Sequence, residues 1–166
     1  MLRVIFDTNI YGLLITEQNI NIIKNKMLND SDFIVYGFKP IRKELRDTPK
    51  NKKLGRLSKR NLLLCLYDEL TKGRYLKDSI KINRLALKYY NAYRKFRGIK
   101  RWEDIKVDFT IIACASSYKL DVIVSDDNHT MLSKSARKAY KHIALKEGMW
   151  LPNFWKYSDL KTKYNF

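Results

Sequence analysis

The sequence predicts an α/β protein with a central, mainly parallel sheet. Short apolar, β-branched runs alternate with longer segments of helical period, the pattern of strands joined by crossover helices. At least two of the runs stop at an aspartate, which is where parallel sheets gather their working residues. The chain has 166 residues, 45% of them hydrophobic. That suits one domain over 1–166 with one core.

Leu2–Phe6 (LRVIF) reads as a buried strand ending at Asp7. Helical periodicity follows through Ile20, Ile23 and Met27. Residues 33–36 (FIVY) form a second strand. Pro40 suits the first turn of a helix, where its missing N–H costs nothing, and that helix carries Glu44. Residues 56–72 read as a further helix. In 79–97, Ile82, Leu85, Ala86, Tyr89, Tyr93 and Phe96 share one face. A helix over 104–119 holds FTIIACA, and residues 121–124 (DVIV) form a strand ending in Ser125-Asp126-Asp127. A last helix spans 133–142. The aromatic tail, with Trp150, Trp155 and Tyr157, is given no element. The basic stretch 50–59 reads as an exposed loop.

Thirty-four Lys and Arg oppose 17 Asp and Glu, a net charge of +17. Such a field attracts polyanions, and phosphate neutralisation supplies most non-specific nucleic-acid affinity. Heat-adapted Lys-rich surfaces usually hold matching Glu, which this chain lacks. Cys65 and Cys114 both sit in apolar runs and read as buried small hydrophobes, not as zinc ligands or a disulfide. The start of the sequence has no signal-peptide pattern, and no apolar run approaches the ~20 residues of a membrane span. A soluble, cytoplasmic protein is expected.

In a chain this basic, the acids are informative. Asp7 ends one strand and Asp126-Asp127 another, on the same side of a parallel sheet. Asp108 opens the helix before the later strand, and Glu44 lies on the helix after the second strand. Carboxylates converging there need protonation or cations. Hard oxygens suit Mg²⁺ or Mn²⁺, which can activate water and clamp an in-line phosphoryl displacement. Each acid also has a plainer reading. Asp7-Thr8-Asn9 can cap a helix. Asp108 can complement a helix dipole. Asp126-Asp127-Asn128 can turn the chain. Glu44 can pair with Arg42 or Lys43.

The joint pattern resembles the PIN-domain nucleases, and the VapC-type toxins of prokaryotic toxin–antitoxin pairs in particular. It is carried by VIFDTN at 4–9, the Glu44 helix, VDFTIIACA at 107–115 and VIVSDD at 122–127. The resemblance implies a three-layer α/β/α fold and Mg²⁺- or Mn²⁺-dependent endonuclease action on RNA. It implies metal-site acids Asp7, Glu44, Asp108 and Asp127, with Asn9, Ser125 and Asp126 as auxiliaries. Its spacing favours Asp127 over Asp126. It also implies a homodimer and an antitoxin that blocks the site. The extra length in the helical middle and tail leaves a non-toxin RNA-processing nuclease open.

RNA-holding candidates are Lys39, Arg42, Lys43 and Arg46 near Glu44, and the cluster Arg94, Lys95, Arg97, Lys100 and Arg101. Tyr90 is the preferred base-stacking residue, because Tyr89, Tyr93 and Phe96 fit the buried face. Neither His129 nor His142 is given a role. Partner contacts could come from 79–97 or the aromatic tail, although a helical stripe is more often core. A receiver-like phosphoacceptor would need paired acids after the first strand, and a haloacid-dehalogenase-like phosphatase would need Asp-x-Asp there. This chain has Asp-Thr-Asn. A non-catalytic RNA-binding module is the remaining alternative.

Overall fold

In the computed structural model, which describes all 166 residues, five parallel strands form one sheet flanked by helices, a three-layer α/β/α arrangement. The strands are β1 (Leu2–Phe6), β2 (Phe33–Phe38), β5 (Tyr75–Leu76), β6 (Val122–Val124) and β7 (Asn153–Trp155), in the order β5-β2-β1-β6-β7. The helices are α1 (Thr8–Leu14), α2 (Ile20–Asn29), α3 (Lys39–Asp47), α4 (Lys59–Thr71), α5 (Ile80–Lys95), α6 (Trp102–Ser117), α7 (Lys134–Glu147) and α8 (Tyr157–Tyr164). A small antiparallel hairpin, β3 (Lys53–Leu54) with β4 (Leu57–Ser58), occupies the expected basic loop. Its residues are almost all exposed.

From β1 the chain winds outward through β2 and β5. It then crosses back to lay β6 on the other side of β1. Winding reverses between β1 and β6, and crevices at such reversals bind ligands in open α/β sheets. The Asp7 amide donates to the Val124 carbonyl at 2.9 Å, closing the two strand ends together.

Local signals set the helix limits. Ser58, Ser79 and Ser133 cap α4, α5 and α7, each accepting from a backbone N–H three residues on. Glu103 and Asp104 occupy the first turn of α6, where the dipole favours them. The expected last helix stops too early: α7 continues to Glu147, and Gly148, left-handed at φ 61°, ends it. The unassigned tail supplies β7 and α8.

One cluster of 45 buried hydrophobic residues forms the core. The α5 stripe packs into it, with Ile82, Leu85, Ala86, Tyr89, Ala92 and Tyr93 all buried against α6 and α7. The tail aromatics are also used in the fold: Trp155 stacks on Phe33 at 6.2 Å, and Tyr157 is buried. Cys114 is buried as expected, but Cys65 is exposed. It lies on the outer side of α4, and its Sγ donates to Glu69 at 3.3 Å. An apolar run on a helix wraps around both faces, so the run alone did not bury it. No helix is long and apolar enough to cross a membrane.

Gly37 lets β5 dock. A Cβ there would lie 2.5 Å from the Tyr75 ring and 2.7 Å from the Tyr67 hydroxyl. Those two rings are stacked on each other at 6.2 Å. Gly37→Ala should destabilise the protein by about 1–2 kcal/mol through overpacking. Urea denaturation would read this as a lower midpoint at unchanged slope.

Candidate acidic site at the sheet reversal

Asp7 follows β1 directly and is 3% exposed. One carboxylate oxygen, Oδ1, accepts from the Thr8 amide at 2.7 Å and the Thr8 hydroxyl at 3.2 Å. Asp7 therefore does cap α1. The other oxygen faces across the sheet reversal. Oδ2 accepts from the Ser125 hydroxyl and from the Asn9 amide, both at 2.7 Å. Capping and site-building are thus divided between the two oxygens of one carboxylate.

Ser125 joins the two strand ends. It is fully buried. Besides donating to Asp7, its Oγ accepts from Asn9 Nδ2 at 3.3 Å and from the Asp127 amide at 3.1 Å. Asn9 Oδ1 in turn accepts from the Asp126 amide at 3.4 Å.

Two threonines link the remaining acids. The Thr8 hydroxyl lies 2.9 Å from Glu44 Oε2 as well as close to Asp7. Thr130 bonds through its hydroxyl to Asp127 Oδ2, and it also acts on the acidity of Asp108. The sequence reading missed both. The available signal was position: a hydroxyl directly after Asp7, and another three residues after Asp127, a common spacing for side-chain turns.

Asp126 and Asp127 are not equivalent. Asp126 Oδ1 accepts from the Tyr157 amide at 2.9 Å and so anchors the start of α8. Asp127 accepts from the His129 and Thr130 amides through Oδ1, both at 2.9 Å. The turn reading of this segment is therefore realised, and the Asp127 charge also pushes the Asp108 carboxyl up. His129 and His142 are exposed.

The electrostatics show crowding. Burial raises the Asp7 carboxyl above its usual range, against the lowering by Ser125 and Thr8 hydrogen bonds, with a further push from Asp127. Asp108, half-buried on α6, is pushed up to about 8, by desolvation first and then by Asp7, Asp127 and Glu44, against a hydrogen bond from Thr130. Glu44, on the rim, is also raised, by desolvation first and by Asp7 and Asp47. No lysine, arginine or histidine figures among the groups that set these three carboxyls. In a chain of charge +17, that leaves protons or an external cation to offset them.

The donor chemistry fits a hard divalent ion, being oxygen throughout. As the side chains stand, however, no three His, Cys, Asp or Glu groups are arranged to hold one ion. The hydroxyls of Thr8, Ser125 and Thr130 occupy carboxylate oxygens that an ion would also need.

The proposed RNA-holding residues divide. Lys39 and Lys43 line a groove of about 730 Å³ with Glu44, Asp47, Lys106 and Trp102. Arg46 is exposed on the same helix. Arg42 is otherwise engaged: its Nε and Nη2 donate to the two oxygens of Asp68, both at 2.9 Å, and tie α3 to α4. Nor does it pair with Glu44, whose hydrogen-bond partner is Thr8. Arg94 donates to the Gly98 carbonyl at 2.8 Å and Arg101 to Asp104 at 3.3 Å. Lys95, Arg97 and Lys100 are exposed without an ion pair. Tyr90 is packed among Trp102, Tyr93 and Phe109, with ring centres 5.3 to 6.3 Å away. It is therefore not free to stack on a base. Trp102, not Tyr90, lines the groove.

The sequence matches no protein-family model, and no curated protein aligns with it. The functional reading therefore depends on the chemistry of the site.

Proposed function

We propose that the protein is a divalent-metal-dependent endoribonuclease. The observation that carries this reading is the crowding of Asp7, Asp108 and Glu44, with no basic partner, beside the β1–β6 reversal of a strongly basic chain. Asp7, Asp108 and Asp127 would hold Mg²⁺ or Mn²⁺, with Glu44 at the rim. When bound there, the ion supplies charge neutralisation and Lewis-acid polarisation of the phosphodiester.

The chain's own groups have separate tasks. Ser125 and Asn9 hold Asp7 in one orientation by donating to Oδ2. Thr8 holds Glu44 beside Asp7, and Thr130 fixes the Asp127 carboxylate. Lys39, Lys43 and Lys106 offer cations to phosphates in the groove beside Glu44, alternating with the acids Asp47 and Asp78. Asp126 fixes the tail and takes no part in the reaction. On the resemblance, the role is that of a toxin with an antitoxin and a second copy as partners, or of an RNA-processing enzyme.

A catalytically silent RNA-binding module is favoured by one observation, the absence of a ready three-ligand arrangement. The test is incubation of the pure protein with labelled structured and single-stranded RNAs, in Mn²⁺, Mg²⁺ or chelator. Metal-dependent cleavage that Asp7→Asn abolishes supports the nuclease. RNA bound but left intact in every condition supports the silent module. Equal cleavage by wild type and variant overturns the acidic mechanism.

A further inference from the structure

Helix α7 turns its apolar side, Ala136, Ala139, Tyr140 and Ile143, into the core. Ser135 fastens that side to the end of α5 by donating to the Phe96 carbonyl at 2.8 Å. On another face lie Lys134, Arg137, Lys138 and Lys141, paired at spacings of three (134/137, 138/141) and four (134/138, 137/141). Lys156, just before α8, joins them around a shallow cavity of about 470 Å³. No acidic residue lines this cavity, and none of the five cations forms an ion pair. Asn128 and Leu132 complete the wall, so the cavity opens one residue from Asp127.

This arrangement works against folding. Like charges three and four residues apart on a helix repel. Cations in the first turns also oppose the helix dipole, and the first turn of α7 carries no acid to offset them. The Arg137 guanidinium is held 5.7 Å over the Phe154 ring, so one cation at least is pre-positioned. A concave row of unpaired cations beside the acid cluster matches a run of backbone phosphates.

We propose that the α7 face, Lys134, Arg137, Lys138 and Lys141 with Lys156, binds the phosphate backbone of a single-stranded RNA leading to the acidic site. The proposal rests on the RNA reading above, and not on hydrolysis. An RNA held here would have its backbone at the Asp127 side, with the Lys39–Lys43 groove at the Glu44 side.

The test is the binding of a fluorescein-labelled single-stranded oligoribonucleotide in chelator, across a salt series. The triple variant Arg137→Ala, Lys138→Ala, Lys141→Ala is compared with Arg56→Ala, Lys81→Ala, Arg84→Ala, which removes equal charge from exposed positions off α7. The α7 variant should bind about tenfold more weakly or worse, and its salt slope should fall by about 2. The control should remain near wild type. Relief of repulsion should leave the melting temperature of the α7 variant unchanged or higher, which separates lost binding from lost fold. Binding by the α7 variant within about twofold of the control overturns the proposal while leaving RNA binding intact. If wild type ignores the RNA but binds polyglutamate through α7, the face is a site for acidic polypeptide, and the RNA reading fails with it. RNA held through α7 but uncleaved in Mn²⁺ supports the surface and sinks only hydrolysis.

Discussion

Replacing Asp108 by Asn should make the protein more stable at pH 8 and change it little at pH 5. The Asp108 carboxyl is raised from 3.8 to about 8. Between those values the folded state keeps a proton that the unfolded chain has released. Stability therefore falls as pH rises through that window, and levels off above it. Asp7 and Glu44 are shifted in the same direction and add to the same slope. An amide of the same shape removes the ionisation of Asp108. Because this carboxyl is only half-buried, the gain at pH 8 should be on the order of 2 kcal/mol, well below the full value of the shift. That corresponds to roughly 4–8 °C in melting temperature. Thermal melts of wild type and variant in chelator, from pH 5 to pH 8.5, would check it. Parallel curves would mean that Asp108 is ionised at little cost and would overturn the crowding of the site. Adding millimolar Mn²⁺ should flatten the wild-type decline, because a cation taken up by the native state replaces the proton. The Asp108→Asn protein should gain less.

Ser125→Ala should have the opposite sign. The Ser125 hydroxyl is fully buried and serves Asp7, Asn9 and the Asp127 amide together. Its removal leaves a buried carboxylate oxygen with one donor fewer and a half-buried amide without its acceptor. A loss of about 3 kcal/mol is expected, with any RNA cleavage falling as Asp7 loses its orientation. Ser125→Cys, which keeps a weak donor, should lie between the two. Calorimetry together with the cleavage assay separates the contributions. A stable Ser125→Ala protein without activity would assign the hydroxyl to positioning alone. A destabilised protein with full activity per folded molecule would make it a structural pin.

The long helices were legible to within a few residues: α5 repeats its apolar pattern over several turns, and α6 carries a run buried without a break from Phe109 to Ser116. The short pieces were not. Strands β5 and β7 have two and three residues, too few to show alternation. Helix α1 has seven and contains Gly12. Among the site residues, Asp7 and Asp127 stood out because they follow strand ends, whereas Asp108, expected to open its helix, is the seventh residue of α6, and Glu44 is the sixth of α3. The engagement of Arg42 by Asp68, 26 residues away, had no local sign. The roles of Thr8 and Thr130 were hidden for another reason. Threonine is common in turns, and only the placement of its neighbours gives the hydroxyl a partner.

The hydrogen bond from Ser125 to Asp7 spans 118 residues of chain, and the Ser125 amide in turn donates to the Trp155 carbonyl of β7 at 3.0 Å. During translation, Asp7 and Glu44 emerge long before their partners. A growing chain that has reached only α6 holds three of the four clustered acids, Asp7, Glu44 and Asp108, with β1 still lacking its neighbour on one side. The cluster closes only after the last strands leave the ribosome. Synthesis order alone thus keeps the site incomplete until the chain is nearly finished.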